Sequence, residues 1–166
     1  MRRVAITGGI ACGKSLVAKY LDELGFETLD ADDIVHELVP EDERRRLAAV
    51  VFKDPAARRA LEARLHPLVR ARLDARPGAI AIVPLLFEVH WDGDYDIICC
   101  VASKRETQLS RMTTLRGYTR EEAEDRLAAQ MPLSEKAARS HYVIENDGSP
   151  DDLRAAVAKF AEWIGN

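Results

Sequence analysis

A ten-residue stretch near the start of the chain, TGGIACGKSL at positions 7–16, constrains the fold more than any other feature. It contains Gly8, then four residues, then Gly13-Lys14-Ser15. The preceding run, Val4-Ala5-Ile6, is apolar and partly β-branched, which predicts a buried strand. Apolar residues then recur at helical spacing over positions 14–24. The chain is therefore expected to begin with a strand, a glycine-rich turn and a helix.

This glycine spacing matches the phosphate-binding P-loop. In such a loop, backbone N–H groups surround phosphate oxygens and the helix N-terminus adds positive potential. Gly8 and Gly13 permit backbone angles that a Cβ atom would oppose. Lys14 can reach the outer phosphates, and the Ser15 hydroxyl can bind Mg²⁺. The alternative is a structural glycine turn that matches by chance, but the flanking strand and helix favour a phosphate loop.

Composition narrows the class of protein. The 166 residues suggest one domain, and 47% hydrophobic with 31% charged residues is typical of a chain with an ordinary core. A formal charge of −4 does not indicate a nucleic-acid partner, and no apolar run approaches the roughly 20 residues of a membrane span. The N-terminus leads directly into the first strand, so we expect no signal peptide. The odd cysteine count argues against a disulfide scaffold. We therefore expect a cytoplasmic protein.

Strand and helix patterns alternate along the rest of the chain. Strands are predicted at Val4–Ile6, Glu27–Asp30, Ala79–Val83, Tyr95–Ala102 and Tyr142–Glu145. Helices are predicted at 14–24, 32–39, 41–51, 55–76 (with a kink or joint at His66-Pro67), 105–114, 119–130, 134–140 and from Ser149-Pro150 onward. This alternation predicts an α/β fold with a five-stranded parallel sheet between helices. Ligands of such folds bind beyond the carboxyl ends of the strands.

Carboxylates follow the second predicted strand, in Asp30-Ala31-Asp32-Asp33. One interpretation is a helix cap made by Asp30 or Asp32. The other is a general base or Mg²⁺ site facing the transferred phosphate, because a kinase needs a carboxylate beside the acceptor hydroxyl. The neighbouring phosphate loop favours the second interpretation.

The third strand ends in VPLLFE, residues 83–88. A usual P-loop nucleoside triphosphatase has an aspartate near this point to hold Mg²⁺ through water. Pro84 and Leu85 occupy that position here, so metal binding is expected to fall on Ser15 and the Asp30/Asp32 pair. Glu88 either lines an acceptor pocket or is a surface charge, and the sequence leaves both open.

Five arginines lie between positions 105 and 126 and form either a solvated helix face or a set of phosphate-binding cations. Arg111, on the helix after strand four, and Arg116, beside a predicted hinge at Gly117, are the best candidates for function. Farther along, Asn146 and Gly148 either contact adenine or only form a turn.

Together these motifs resemble one family, dephospho-coenzyme A kinase, over nearly the whole chain. The similar segments are ITGGIACGKS, LDADDIVHELV, LHPLV (65–69), VPLLFE (83–88), ETQLSR (106–111) and NDGSPDDL (146–153). The phosphate loop is shared by many enzymes, whereas the combination with Asp-Ala-Asp, His-Pro and Pro-Leu-Leu-Phe-Glu is much more specific.

The resemblance implies a three-layer P-loop kinase that transfers the ATP γ-phosphate to the ribose 3′-hydroxyl of dephospho-coenzyme A, with Mg²⁺. It implies catalytic roles for Asp32 as base, Lys14 and Arg116, and metal binding by Ser15. It implies a helical acceptor region over 33–76 and a lid over 113–131. Nucleotide contacts are expected from Gly8, Gly9, Ala11, Cys12, Gly13, Lys14, Ser15, Leu16, Arg111, Asn146 and Gly148, and acceptor contacts from Asp32, His66, Leu86 and Glu88.

The chain also departs from the family pattern. Ala11 and Cys12 replace the usual Gly-Ser of the loop. Pro40 and Glu41 are adjacent in this chain, whereas the family usually has a substantially longer segment at this point. The shortening keeps open a nucleotide or small-molecule kinase with another acceptor. A nucleotide-binding regulatory module without catalysis is a third hypothesis, against which intact Lys14, Ser15 and Asp32 argue. Oligomeric state is not determined by the sequence, and we favour a monomer. The sequence does not determine whether Cys12 is sensitive to oxidation; because the residue lies near a helix N-terminus, a lowered pKa of its thiol is a hypothesis.

Overall fold

The five predicted strands form one parallel sheet in the computed structural model, which describes residues 2–51 and 54–165. The strands are β1 Val4–Gly8, β2 Thr28–Asp30, β3 Ile80–Ile82, β4 Ile97–Ala102 and β5 Tyr142–Glu145. Their order across the sheet is β2-β3-β1-β4-β5, and every neighbouring pair is parallel. The predicted α/β class with a five-stranded parallel sheet is confirmed.

The helices match the predicted segments within a few residues at each end. They are α1 Lys14–Glu23, α2 Ala31–Leu38, α3 Glu41–Val51, α4 Pro55–Asp74, α5 Arg105–Arg116, α6 Arg120–Ala128, α7 Leu133–Arg139 and α8 Pro150–Gly165, with a 3₁₀ turn at Asp92–Asp94. A kink or joint was predicted at His66-Pro67, and the structure shows one helix, α4, that continues through Pro67. No helix in the described part of the chain has the length and apolar character needed to cross a membrane.

Local capping explains where several helices begin. Thr119 and Glu122 exchange side-chain-to-backbone bonds in a complete capping box, as the sequence predicts. Asp54 caps α4 just ahead of Pro55 at its first position. Ser149 and Asp152 bond reciprocally at the start of α8. Each of these helix starts is therefore fixed by residues a few positions apart in the sequence.

The core lies on both faces of the sheet. On one face, Ile6 and Val101 pack with α1 and with Leu153, Val157 and Phe160 of α8, and Ile164 packs at the margin. On the other, Ala5 and Ile98 pack with α4 and with the segment that follows β3. Strands buried on both sides read as continuous apolar runs, which is the pattern that the sequence shows.

The strand order decides what lies near the phosphate loop. Because β1 is central, the loop after it is flanked by the loop after β3 on one side and the loop after β4 on the other. Asp30 ends β2, one strand farther out and next to β3. The carboxyl edge of the sheet therefore brings together the loops that carry the predicted site residues.

Candidate active site

The phosphate loop has the strained geometry that its glycines permit. Gly8 and Gly13 have φ angles of 150° and 92°. A Cβ at Gly8 would lie 2.2 Å from the carbonyl oxygen of Val101, and one at Gly13 would lie 2.4 Å from Nδ2 of Asn146. Ala11 also has a positive φ of 57°, which costs about 1 kcal/mol in a residue with a Cβ. The sequence therefore needs glycine at both positions and tolerates strain at the third.

The start of α1 fits an anion. Gly13 is the N-cap residue and has no side chain to accept a bond from the first turn. Among the residues that the structure describes, no group accepts from the backbone N–H of Lys14 or Ser15. Unsatisfied amides at a helix N-terminus point at a ligand and carry positive potential, so the loop fits the phosphates of a nucleotide.

Lys14 folds back over the loop. Its Nζ donates to the carbonyl oxygen of Gly9 at 2.7 Å and reaches that of Gly8 at 3.4 Å. Burial lowers the pKa of Lys14 from its ordinary value, opposed by Cys12 and Asp32. The nearby charges of Lys136 and Arg116 lower this pKa further. Lys14 therefore interacts electrostatically with Asp32 and Arg116.

Groups from α5 and from the end of β5 form hydrogen bonds with the phosphate loop. Arg111 donates to the carbonyl oxygens of Ala11 at 3.0 Å and Asn146 at 2.8 Å. The side-chain amide of Asn146 donates to the carbonyl of Cys12 at 2.9 Å. Thus two predicted nucleotide-binding residues support the loop directly, whatever contacts they make with nucleotide.

Two further members of this network were not identified from the sequence. Ser103 donates to the carbonyl of Asn146 at 2.7 Å, and Gln108 donates to that of Ile10 at 2.9 Å. Gln108 lies three positions before Arg111, hence on the same face of α5, and Ser103 directly follows β4. These two positions are the features of the sequence that could have indicated Gln108 and Ser103 as supports of the loop.

A groove of about 360 Å³ lies beside the loop. The groove is lined by several residues that are predicted to contact the nucleotide and by Arg116. Its lining residues are Ala11, Gly13, Leu16, Arg111, Leu115, Arg116, Asn146, Gly148 and Pro150. Arg116, at the end of α5, is exposed, and Gly117 after it has a positive φ of 70°. The groove can hold a base and ribose next to the phosphate loop.

The two candidate aspartates have different tasks. Asp30 is the N-cap of α2 and accepts from the backbone N–H of Asp32 at 2.8 Å. Burial raises the pKa of Asp30. Asp32 is exposed and its side chain makes no cap. The capping interpretation is correct for Asp30, which leaves Asp32 free to act on a ligand.

Asp32 lies at a second, smaller cavity of about 90 Å³. The cavity is lined by residues from α2, α4 and the segment after β3. These are Ala31, Asp32, Val35, His66, Val69, Val83, Pro84, Leu85, Val89 and Trp91. His66 packs edge-on against Trp91, with ring centroids 5.4 Å apart. Trp91 was not identified from the sequence because it lies far along the chain from both Asp32 and His66.

The other two predicted acceptor residues lie behind this cavity. Leu86 is fully buried in the core, and it is Leu85 that reaches the cavity. The carboxylate of Glu88 lies 2.9 Å from Nζ of Lys136, a fully buried lysine. Glu88 is therefore neither a simple surface charge nor part of the cavity lining.

A carboxylate cage for a metal is not found. No group of three or more His, Cys, Asp or Glu that could hold an ion occurs within residues 2–51 and 54–165. The hydroxyl of Ser15 lies in the first turn of α1 and is exposed, and a hydroxyl oxygen is a type of ligand that Mg²⁺ accepts.

The structure argues against the hypothesis of a lowered pKa at Cys12. Its side chain is fully buried, and burial raises the pKa of its thiol against the opposing effect of Lys14. Cys100 and Cys99 are also fully buried, and burial raises the pKa of Cys100 to about 11. A nearby helix N-terminus lowers the pKa of a thiol, but at Cys12 the desolvation of the thiolate has the larger effect.

The native protein is therefore expected to react with a thiol reagent such as DTNB at none of its three cysteines. The same protein in denaturant should react at all three. Rapid titration of one native thiol, lost in Cys12→Ser, would contradict the burial of this side chain.

The structure and the loop geometry define the class of this chain: it is a P-loop kinase. The family model described as Dephospho-CoA kinase matches residues 2–44 and 41–152. A dephospho-CoA kinase of Symbiobacterium thermophilum is 42% identical over 194 aligned positions, covering 98% of this chain and 80% of the relative. The chain belongs to the dephospho-CoA kinase family.

Two solved structures share the fold of this chain. The crystal structure of TT1252 from Thermus thermophilus has a TM-score of 0.80 and 37% identity and covers 98% of each chain. A dephospho-CoA kinase from Campylobacter jejuni has a TM-score of 0.71 at 24% identity, covering 97% of this chain and 96% of its own. The second likeness shows the fold alone.

Proposed function

We propose that this chain transfers the γ-phosphoryl group of ATP to the ribose 3′-hydroxyl of dephospho-CoA, which yields coenzyme A and ADP. The observation that carries the proposal is the place of Asp32. This exposed carboxylate lies at a cavity lined also by Pro84, whose carbonyl oxygen accepts a hydrogen bond from Thr7 of β1, and its charge raises the pKa of Lys14. A base next to the bound phosphates is the arrangement that phosphoryl transfer to an alcohol requires.

The nucleotide binds along the loop and the adjoining groove. Backbone amides at the start of α1 accept the phosphates, and Lys14 leaves the Gly8 and Gly9 carbonyls to pair with them. The adenine and ribose lie in the groove between Leu16 and Gly148. Arg116, at the mouth of this groove, adds positive charge where the transferred group becomes more negative.

Asp32 orients the acceptor hydroxyl and takes its proton as the oxygen attacks the γ-phosphorus. The bond from that phosphorus to the bridging oxygen of ADP breaks, and its electrons remain on ADP. The Ser15 hydroxyl, together with the phosphates, would hold Mg²⁺, which would supply charge neutralisation. His66 and Trp91 form the apolar and aromatic side of the acceptor site.

The helical acceptor region is residues 33–76, of which 52 and 53 lie outside the described residues, and residues 113–131 form a lid hinged at Gly117. The family match breaks into two pieces that overlap at 41–44, and the alignment with the Symbiobacterium enzyme is longer than this chain. Both facts support a shortened acceptor region after Pro40. A cytoplasmic monomer with no nucleic-acid partner stays our prediction.

A kinase with another acceptor is the second candidate, and the shortened region and small cavity favour it. A direct test is ADP release from ATP and Mg²⁺ with dephospho-CoA, AMP, adenosine or no acceptor. Release with dephospho-CoA alone supports the proposal. Faster release with another acceptor supports the second candidate, and nucleotide binding without any turnover supports a regulatory module.

Acceptor binding is expected to change the fluorescence of Trp91. The chain has two tryptophans, of which Trp91 is at the cavity and Trp163 lies on α8. In a Trp163→Phe variant, titration with dephospho-CoA should therefore quench or shift the remaining emission to saturation. A Trp91→Phe variant, which keeps Trp163, is the matched control and should show no saturable change. Equal responses of the two variants would place the acceptor elsewhere.

A further inference from the structure

Lys136 is a fully buried lysine that the proposed mechanism does not use. It lies on α7, and its Nζ donates to the carbonyl oxygen of Pro84 at 2.9 Å and lies 2.9 Å from Oε2 of Glu88. An ammonium group is costly to bury unless a carboxylate and hydrogen-bond acceptors compensate it. Here both kinds of partner come from the same short segment.

That segment, residues 84–91, forms one wall of the acceptor cavity, and we call it the acceptor wall. Pro84, Leu85, Val89 and Trp91 line the cavity, whereas Leu86 and Phe87 anchor the wall in the core. The carbonyl oxygen of Pro84 also accepts from Oγ1 of Thr7 at 3.1 Å. The start of the wall is therefore fixed to both Lys136 and the strand that leads into the phosphate loop.

A second cation from α7 reaches the same region. The guanidinium of Arg139 lies 4.4 Å from the centroid of the Phe87 ring, and its Nη2 is 3.1 Å from Oδ2 of Asp92. Arg139 is partly exposed, whereas Lys136 is fully enclosed. Of these two contacts, the one at Lys136 is shielded from water and should be the stronger constraint.

Helix α4 holds the opposite side of the wall. His66 packs on Trp91, and Arg70 pairs with Asp94 just beyond the wall. The acceptor wall thus lies between α4 of the acceptor region and α7, which follows the proposed lid. Its position is set by charged groups of α7 on one side and by α4 on the other.

We propose that Lys136 is a positioning residue for the phosphoryl acceptor. Through Pro84 and Glu88 it fixes the acceptor wall relative to the phosphate loop, so that a bound hydroxyl faces Asp32. Glu88 makes no contact with the acceptor and acts on it only through Lys136. This role rests on the proposed function, because it requires that the cavity at Asp32 holds the acceptor.

The test compares Lys136→Met with Lys136→Arg, Glu88→Gln and the exposed control Lys159→Met. We expect Lys136→Met to raise KM for dephospho-CoA by about tenfold or more and KM for ATP by less than about twofold. Glu88→Gln should also raise KM for dephospho-CoA. The double variant Lys136→Met/Glu88→Gln should raise this KM no more than the single variant with the larger effect. Lys136→Arg should recover part of the loss, and Lys159→Met should behave as wild type.

Equal increases in both KM values, or a lower melting temperature with KM values unchanged, would overturn the positioning role. Wild-type turnover is measured first and decides the proposed function independently. If wild type does not use dephospho-CoA, the Trp163→Phe background provides the readout. Greater acrylamide quenching of Trp91 in Lys136→Met than in Lys136→Arg then supports control of the wall by Lys136, and equal quenching overturns it.

Discussion

Replacement of Asp32 by asparagine is expected to lower kcat by about 10³-fold while KM for ATP changes little. Asparagine keeps the size and one oxygen of the side chain but cannot accept the proton of the acceptor hydroxyl. Because Asp32 is exposed and caps no helix, the fold should be unaffected. Steady-state ADP release with saturating ATP and dephospho-CoA, together with a thermal melt, measures both effects.

Two neighbouring carboxylates provide matched controls for this prediction. Asp33 is exposed and lies one residue farther along α2, so Asp33→Asn should keep wild-type kcat. Asp30→Asn should also be mild, because asparagine caps helices about as well as aspartate. Similar losses of kcat in the Asp32 and Asp33 variants would mean that general negative charge matters and that Asp32 is not the base.

Replacement of Lys14 by methionine is expected to lower kcat by about 10²- to 10³-fold. The ammonium of Lys14 lies over the phosphate loop, and methionine fills similar volume without its charge. Lys19→Met, an exposed position on the same helix, is the matched control and should retain activity. Single-turnover measurements at saturating ATP separate loss of phosphoryl transfer from weaker binding. Full activity of the Lys14 variant would remove this residue from the mechanism.

Lys14 also predicts how stability depends on pH. Burial lowers its pKa in the folded enzyme below the ordinary 10.5, so between these two values the unfolded chain binds more protons. Without nucleotide, this residue therefore makes the free energy of unfolding rise with pH across that window. Lys14→Met should lose that contribution, as urea unfolding across the alkaline range can test. An identical pH slope in the variant would contradict the lowered pKa.

Much of the site could be predicted because its signals are local. The Gly8 and Gly13-Lys14-Ser15 spacing fixes a phosphate loop, since few residue types tolerate the backbone angles there. The Thr119 capping box also depends on residues a few positions apart, and it occurs as predicted. The Asp-Ala-Asp sequence placed both carboxylates at the end of β2, but their division of labour depended on which one the helix used as its cap.

The sequence by itself determined the strand–loop–helix start, the alternation of elements and the family motifs, because neighbouring residues encode them. Tertiary structure decided the strand order, the support of the loop by Ser103 and Gln108, and the pairing of Lys136 with Glu88. It also contradicts the hypothesis of a lowered pKa at Cys12, because burial beneath distant segments raises the pKa of this thiol more than the nearby helix end lowers it. Such contacts join residues that are far apart in the chain, and local sequence patterns do not indicate which distant residues will be in contact.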